Sequence, residues 1–571
     1  MRNITFDHID INGGFWQQKQ RLIRDVTMMN VYNRFKETGR FDGMKLNWKE
    51  GMPNKPHIFY DSDVAKWLES AAYLIQKAPA PEMEKIVDET IADIAAGQDE
   101  DGYFNQYYQT CEPKENRFTN RDWHELYCLG HLIEAAVAYY KATGKDLLLK
   151  CVEKYVDLVI KCFVTEKTAK FSSPGHEEIE LALVKLYDLK KDQKYLDLAL
   201  HFVNVRGTED DIGRADYNQS HLPVREQFTA EGHSVRAVYL YSAMADLAER
   251  TGDEGLKNAC LKLYHNITEQ RMYVTGAIGS SSNGERFSFD YNLPNIHAYA
   301  ESCANLGLAL FARRIALLDT DARYADTIET VIYNGFLSGL SLDGKAFFYE
   351  NPLEIDPALL KRHGEHFPIT QRLEVFGCSC CPPNITRFIA SIGDFIYNAD
   401  DDAVYVNQYI SNHAEFDFKG GKVSADMTSC FPYDGKVSFT WHGAPAVVAF
   451  RKPGWCDSIK AGSDGYIRLE MKDGETADFD FEMKPLIIDA DPRVQEDSGR
   501  YAVKRGPLVW CMEGVDNGDY LRDVELDPAG GFETGFDEAL GVGTLLCDGW
   551  RRPVESRKNL YAPRSSERVP I

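Results

Sequence analysis

Residues 123–163 read WHELYCLGHLIEAAVAYYKATGKDLLLKCVEKYVDLVIKCF, and this stretch indicates the fold class. Apolar residues recur at helical spacing on both sides of a polar turn, Thr143-Gly-Lys-Asp146. The pattern predicts two amphipathic helices, Trp123–Ala142 and Leu147–Phe163, joined as a hairpin. A hairpin of this kind is the unit of a helical repeat.

The same pattern recurs three more times, with polar turns at 190–192, 251–253 and 319–321. The predicted helix pairs are 177–189 with 195–203, 234–250 with 256–272, and 302–318 with 324–340. Such wide spacing between turns suits stacked hairpins with long variable loops on one side. Helices near 17–37, 61–76, 82–96 and after Asn384 bring the total to about six pairs. Six hairpins that close on themselves form a mainly α (α/α)6 barrel, and an open α-solenoid is the alternative.

The helical pattern ends near Tyr397, and alternation of apolar and polar residues replaces it. The runs 403–410, 437–441 and 446–451, divided by Gly and Asp clusters, predict short strands of a β-sandwich. We therefore expect a barrel catalytic domain at 1–398 and a C-terminal β-sandwich at 399–498. Residues 499–571 are expected to form a second, partial β-rich region.

Composition argues against several classes of partner. The chain carries 64 basic and 88 acidic residues, a net charge of -24, which disfavours nucleic acid and anionic membrane surfaces. No apolar run approaches the ~18 residues of a membrane span, and the N-terminus shows no secretory apolar region. The thirteen cysteines are odd in number and scattered, which favours reduced thiols over a disulfide framework. These features predict a cytoplasmic protein.

The stretch Phe376-Gly-Cys-Ser-Cys-Cys-Pro-Pro-Asn384 concentrates three thiols, Cys378, Cys380 and Cys381. Proline suits a first helical turn and Asn a helix cap, so the thiols are predicted in a turn before a helix. The positive end of a helix dipole favours thiolate. Thiolates crowded this closely bind a soft cation, and zinc is the expected one. The alternatives are a structural zinc knuckle and cysteines that only pack.

Chemically active side chains open the first helix of each predicted pair. His124, His176 and His233 open three of them, and Tyr299-Ala-Glu301-Ser-Cys303 opens the fourth. In an α/α barrel the first helices form the inner ring, so these side chains should converge at one mouth. There the imidazoles could orient a ligand rich in hydroxyl groups.

Two carboxylates complete the predicted site. Glu301 and Cys303, with Cys380 and Cys381, supply the four ligands of a tetrahedral zinc site. Glu285 lies in a Gly-containing loop, and loops carry catalytic groups disproportionately often. The alternative for Glu285 is a solvated loop charge.

Four motifs resemble those of glycoside hydrolase family 127, the β-L-arabinofuranosidases, to which family 146 is closely related. They are Gly284-Glu-Arg-Phe287, Tyr299-Ala-Glu-Ser-Cys303, Phe348-Tyr-Glu-Asn-Pro-Leu353 and Cys378-Ser-Cys-Cys-Pro-Pro-Asn384. The resemblance runs from about residue 61 to about residue 510, and it implies an (α/α)6 barrel with β-sandwich domains. It assigns zinc to Glu301, Cys303, Cys380 and Cys381, the nucleophile to Cys380, the general acid/base to Glu285, and the sugar pocket to His124, His176, His233 and Tyr349.

The resemblance implies a retaining, exo-acting β-L-arabinofuranosidase that acts on an arabinofuranoside-containing oligosaccharide or glycoconjugate. A thiolate would replace one of the two carboxylates of an ordinary retaining glycosidase. Two alternatives remain open: a lyase or inverting hydrolase on the same barrel with purely structural zinc, and a non-catalytic sugar-binding protein. The stretch after about residue 515 is shorter than a full second sandwich, which leaves the contacts of a homodimer open.

Overall fold

A computed structural model of the chain describes residues 1–356, 371–518, 520–552, 559–561 and 568–570. Apart from two short strands near the N-terminus, the regular elements described before residue 391 are helices, and those described after it are mostly strands. The helices are α1 Gly14–Leu22, α2 Met28–Glu37, α3 Arg40–Gly43, α4 Tyr60–Lys77, α5 Pro81–Gly97, α6 Gln106–Cys111, α7 Glu125–Thr143, α8 Leu147–Val159, α9 Ile179–Lys190, α10 Gln193–Val205, α11 Ser234–Thr251, α12 Glu254–Asn266, α13 Ser302–Leu318, α14 Ala322–Thr330, α15 Cys381–Ala390 and α16 Gly514–Asn517.

Six helices form a closed inner ring. Helices α4, α7, α9, α11, α13 and α15 contact one another in that order, and α15 returns to contact α4. Helices α5, α8, α10, α12 and α14 pack outside their inner partners, and α2 packs against α4 and α15. Burial follows this layering, since α7 is buried on every side from residue 125 to residue 139 whereas α8 buries one face. The predicted (α/α)6 barrel is confirmed, and the alternative of an open solenoid is wrong.

Short polar turns close the helix pairs where the sequence predicts them. Gly144 and Gly252 end α7 and α11 with φ of 74° and 70°, a left-handed conformation that glycine adopts without strain. Asp253 then caps α12, because its side chain accepts a hydrogen bond from the Leu256 amide. Because Gly252 ends α11 and the next residue, Asp253, caps α12, only these two residues separate the helices and the chain reverses its direction there.

The cysteine stretch differs in one detail from the prediction. Helix α15 begins at Cys381 rather than after Asn384, and Cys380 is its N-cap residue. The two prolines occupy the first helical turn, where the backbone has no N–H bond to lose. The thiols therefore lie directly at the helix N-terminus.

In the described part of the chain, the strands form two five-stranded sheets, ordered β1-β3-β4-β8-β9 and β10-β7-β6-β5-β2, and three small sheets. Phe439 of β7 and Phe450 of β8 lie face to edge between the two large sheets, with ring centroids 5.0 Å apart, so the sheets pack as a sandwich. The strands are β1 Arg2–Ile4, β2 Ile9–Ile11, β3 Tyr397–Ala399, β4 Ala403–Val406, β5 Asn412–Phe418, β6 Gly421–Ser429, β7 Lys436–His442, β8 Ala446–Arg451, β9 Tyr466–Met471, β10 Glu475–Asp480, β11 Pro485–Ile488, β12 Ala502–Arg505, β13 Leu508–Trp510, β14 Val524–Leu526, β15 Phe532–Asp537, β16 Val542–Cys547, β17 Gly549–Arg551 and β18 Val569–Pro570.

The first eleven residues add two strands to these sheets, with a short 3-10 helix, Phe6–His8, between them. Strand β1 pairs with β3, with Arg2 opposite Ala399, and β2 pairs with β5, with Ile9 opposite Ala414. The segment 1–398 therefore contributes strands to the sandwich before it forms the barrel. The domain limits at 398 and 498 stay predictions. Within the described residues, the helices are too short or too polar to cross a lipid bilayer.

Candidate active site

The predicted site residues meet at one mouth of the barrel. His124, His233, Glu301 and Cys380 are the N-cap residues of α7, α11, α13 and α15, and His176 lies three residues before α9. The imidazole centroids of His124 and His176 are 5.5 Å apart, and those of His176 and His233 are 5.6 Å apart. The inner helices thus begin at a common mouth, and the side chains at their ends converge there.

Three thiols and one carboxylate form a compact cluster in this mouth. The Cys303 Sγ atom lies 3.5 Å from Cys380 Sγ and 3.3 Å from Cys381 Sγ, and the latter two are 3.7 Å apart. Glu301 Oε1 lies 3.4 Å from Cys380 Sγ and 3.8 Å from Cys381 Sγ. Glu301, Cys303 and Cys381 are buried. The two sequence motifs, 77 to 80 residues apart, therefore form one group of donors.

The donor set fits a metal ion. Sulfur ligands at 2.3 Å from a tetrahedral zinc stand about 3.8 Å apart, close to the sulfur separations in the cluster. The other carboxylate oxygen of Glu301, Oε2, is buried and has no hydrogen-bond partner among the described residues. Burial and the neighbouring Cys380 hold the pKa of Glu301 well above its usual range. A cation in the cluster would relieve both the crowding of acidic groups and the unpaired oxygen.

Glu285 faces this cluster and is held by two hydrogen bonds. His233 Nδ1 accepts the backbone N–H groups of Val235 and Arg236, at 3.2 Å and 3.4 Å, so the proton of the neutral ring lies on Nε2. His233 Nε2 then donates to Glu285 Oε2 at 2.8 Å, and the Tyr299 hydroxyl donates to Oε1 at 2.5 Å. Burial alone would raise the pKa of Glu285, but these hydrogen bonds outweigh it and lower the pKa. Glu285 is therefore a carboxylate in this structure.

Tyr349 lies between the cluster and the third thiol of the motif. Its hydroxyl accepts from Cys380 Sγ at 3.4 Å and donates to Cys378 Sγ at 3.7 Å. Cys378 is not among the residues that could hold the metal ion together. The structure thus separates the three thiols of the stretch into a pair in the cluster and one outside it.

Sequence profiles of three domains match the chain in order. "Beta-L-arabinofuranosidase, GH127 catalytic domain" matches residues 8–394, the middle domain of the same family matches 403–479, and its C-terminal domain matches 485–546. The chain belongs to glycoside hydrolase family 127. The predicted family is confirmed, and this family 127 protein is a glycoside hydrolase.

Characterised relatives extend over nearly the whole family 127 chain. It is 37% identical over 539 residues to a non-reducing end β-L-arabinofuranosidase of Bifidobacterium longum subsp. longum, covering 86% of this chain and 80% of that protein. A family 127 β-L-arabinofuranosidase from Geobacillus stearothermophilus T6 superposes with a TM-score of 0.93 at 36% identity, covering 99% of this chain and 96% of that one. A second family 127 β-arabinofuranosidase gives 0.89 at 34% identity, covering 96% and 92%.

The structure of the family 127 chain also reveals a residue that sequence reasoning missed, Arg40. Its Nη2 atom donates to the carbonyls of Phe376 and Gly377 at 3.0 Å and 2.9 Å, and its Nε donates to Asp63 at 2.8 Å. Both charged side chains are completely buried. Arg40 therefore fixes the backbone that leads into the cysteine turn. The sequence gives no signal for this role, because the two carbonyl groups that Arg40 contacts lie 336 and 337 residues further along the chain.

Proposed function

We propose that this hydrolase is an exo-acting β-L-arabinofuranosidase that releases terminal β-L-arabinofuranosyl residues with retention of configuration. The arrangement that carries the proposal is a thiol cluster containing Cys380 with the carboxylate of Glu285 beside it. The sugar is supported by the names of the relatives, which are 34–37% identical and cover most of the chain. The substrate class is an arabinofuranoside-containing oligosaccharide or glycoconjugate. A cytoplasmic location and a homodimeric assembly stay predictions.

Four side chains would hold a zinc ion: Glu301, Cys303, Cys380 and Cys381. When bound, zinc would keep the thiols deprotonated at neutral pH and neutralise part of the charge of the cluster. The fit rests on the three sulfur donors, their separations and the unpaired Glu301 oxygen. Soft sulfur donors favour zinc over magnesium or calcium.

In the first step, Cys380 Sγ attacks the anomeric carbon and Glu285 gives its proton to the leaving oxygen. A thioglycosyl bond forms as the glycosidic bond breaks. Glu285 must therefore be protonated when the sugar is bound, although it is a carboxylate in the ligand-free enzyme. A sugar that fills the mouth removes water from the carboxyl group, and this loss of solvation raises its pKa.

In the second step, Glu285 accepts a proton from a water molecule, which attacks the anomeric carbon and releases the Cys380 thiolate. His233 and Tyr299 orient the Glu285 carboxylate through both of its oxygens. Glu285, His233 and Glu301 place oxygen and nitrogen atoms within 4.8 Å of one another, and Glu301 adjoins Cys380. Retention follows from the two steps, because each displacement inverts the configuration at the anomeric carbon.

Alanine variants of the two adjacent cysteines distinguish a cysteine that is the nucleophile from one that only binds the metal. We expect Cys380→Ala to abolish turnover in a folded protein, and Cys381→Ala mainly to weaken zinc retention, measured by elemental analysis. A sugar carrying a haloacetamide should label Cys380 in the wild type, as located by mass spectrometry. Near-normal turnover by Cys380→Ser with zinc retained would instead favour a carboxylate mechanism with structural zinc. Absence of stoichiometric metal under reducing, chelator-free conditions would contradict the zinc assignment.

A further inference from the structure

A cleft opens beside the loop that carries Glu285, outside the residues used in the mechanism. Its volume is about 310 Å³. Its walls include Glu231, Arg271, Asn283, Arg286, Ser288 and Phe289. The volume lies at the lower limit of small-molecule sites, so the cleft suits one small ring and not a macromolecular segment.

The cleft continues the surface that carries His233. The Ser234 amide donates to the Glu285 carbonyl at 3.0 Å and the Phe287 amide donates to the Gly232 carbonyl at 2.9 Å, so His233 stands opposite Arg286 in a short antiparallel pair. Opposite side chains in such a pair lie on the same face. Arg286, the residue opposite His233, is itself part of the cleft wall. The cleft therefore adjoins the face on which His233 lies.

The role of Glu285 as general acid indicates where the leaving group of the substrate must lie. A general acid hydrogen-bonds to the leaving oxygen, so the leaving group extends from Glu285 away from the attacking Cys380. We propose that the cleft is the subsite for the leaving group and binds the hydroxyl-bearing sugar residue attached through that oxygen. This assignment rests on the proposed function, and it adds the residues that select the leaving group.

The lining matches a sugar ring. Arg271 is buried and is held by Asp290 at 2.6 Å and by Glu231 at 3.4 Å, so its position is fixed before a ligand binds. Asn283 and Ser288 add an amide and a hydroxyl group, which can donate and accept hydrogen bonds. Phe289 leaves 72% of its surface exposed and offers an apolar face to the C–H side of a sugar.

The test compares two substrates that differ only in the leaving group. These are methyl β-L-arabinofuranoside and a β-L-arabinofuranosyl disaccharide, and the readout is the ratio of their kcat/KM values. We expect Phe289→Ala to lower the disaccharide-to-methyl ratio roughly fivefold to tenfold, and Phe289→Trp to preserve it. Glu231→Gln should lower the same ratio. Phe228→Ala is the control, because Phe228 is a 45% exposed phenylalanine under Lys262 and does not line the cleft.

The outcomes separate the subsite from the activity. An unchanged ratio in Phe289→Ala and in Glu231→Gln would overturn the subsite while leaving the proposed function intact. An equal loss on both substrates would also overturn it, because the residue would then act on the common step. A wild-type enzyme that hydrolyses neither substrate would overturn the proposed function, and the subsite with it.

Discussion

Glu285 accepts hydrogen bonds at both carboxylate oxygens, so a glutamine in its place can keep the position but not the proton-donating role. We expect Glu285→Gln to lower kcat/KM on a disaccharide at least about 10²-fold, because the proton donor is lost while Cys380 remains. Glycosides with a strongly acidic leaving group need less protonation and should lose less in the glycosylation step. Steady-state kinetics on both substrates measure the difference. Glu269→Gln, an exposed glutamate on α12's C-terminal extension, is the control.

Equal, small losses on both classes of substrate would show that Glu285 is not the general acid. The nucleophile assignment to Cys380 would be unaffected by that result.

Tyr299 lowers the pKa of the same carboxyl group through a hydrogen bond. Its hydroxyl donates to the charged form of Glu285, so Tyr299→Phe should raise the pKa of Glu285. Glycosylation requires the protonated acid, and a higher pKa keeps that form populated to a higher pH. We therefore expect the alkaline limb of the kcat profile, which reports the sugar-bound enzyme, to move to higher pH in Tyr299→Phe. Tyr273→Phe is the control and should leave the limb in place, because the Tyr273 hydroxyl donates to the Pro294 carbonyl.

A limb that stays in place or moves to lower pH in Tyr299→Phe would contradict this coupling.

Among the elements, the turn before α15 depends on a helix far away in sequence. Arg40 of α3 bonds to two carbonyls of the turn and to Asp63 of α4. Arg40→Lys keeps the charge but cannot make all three bonds, since an ammonium lacks the planar fork of a guanidinium. We expect kcat/KM to fall roughly 10- to 100-fold as Cys380 loses its fixed position, with the fold retained by circular dichroism.

Arg34→Lys provides the matched control for this substitution. Arg34 is on the neighbouring helix α2 and makes exposed ion pairs with Glu37 and Glu374. Such pairs contribute about 1 kcal/mol or less, so activity should be nearly unchanged. Equal activities of the two lysine variants would remove Arg40 from the positioning of the turn.

At the scale of the whole molecule, one buried arginine joins the sandwich to the barrel. Arg451, at the end of β8, pairs with Asp326 and Glu329 of α14 and donates to the Asn407 carbonyl at 2.7 Å. Arg451→Met would leave the buried Glu329 carboxylate without its main partner. We expect the free energy of unfolding to fall by about 3–5 kcal/mol in a urea titration.

Arg468→Met tests the same substitution in the adjacent strand β9. Arg468 pairs with Asp464 and is 40% exposed, so its loss should cost about 1 kcal/mol or less. If the free energy of unfolding falls equally in both methionine variants, the ion pairs of Arg451 do not stabilise the contact between the sandwich and the barrel.

Local sequence patterns were sufficient for much of this molecule. The helix pairs follow from 3.6-residue periodicity and from turns such as 143–146, whose glycine and aspartate act within a few residues of their own position. The thiol cluster could be predicted because Cys380 and Cys381 are adjacent in the sequence, so their two thiols lie close together in any fold. The motif around Glu301 and Cys303 supplied the remaining two donors.

Long-range contacts account for what the sequence left out. Strands β1 and β2 are three residues long, too short for a readable alternation, and they exist because β3 and β5 lie beside them some 400 residues later. Arg40 and Asp63 are charged residues, which a sequence pattern places at the surface, and their burial depends on the ion pair they form. The repeat predicted that the inner helices begin at one mouth. The distances between these helix ends, the Glu285 loop and the cleft depend on closure of the six-helix ring, which no local pattern encodes.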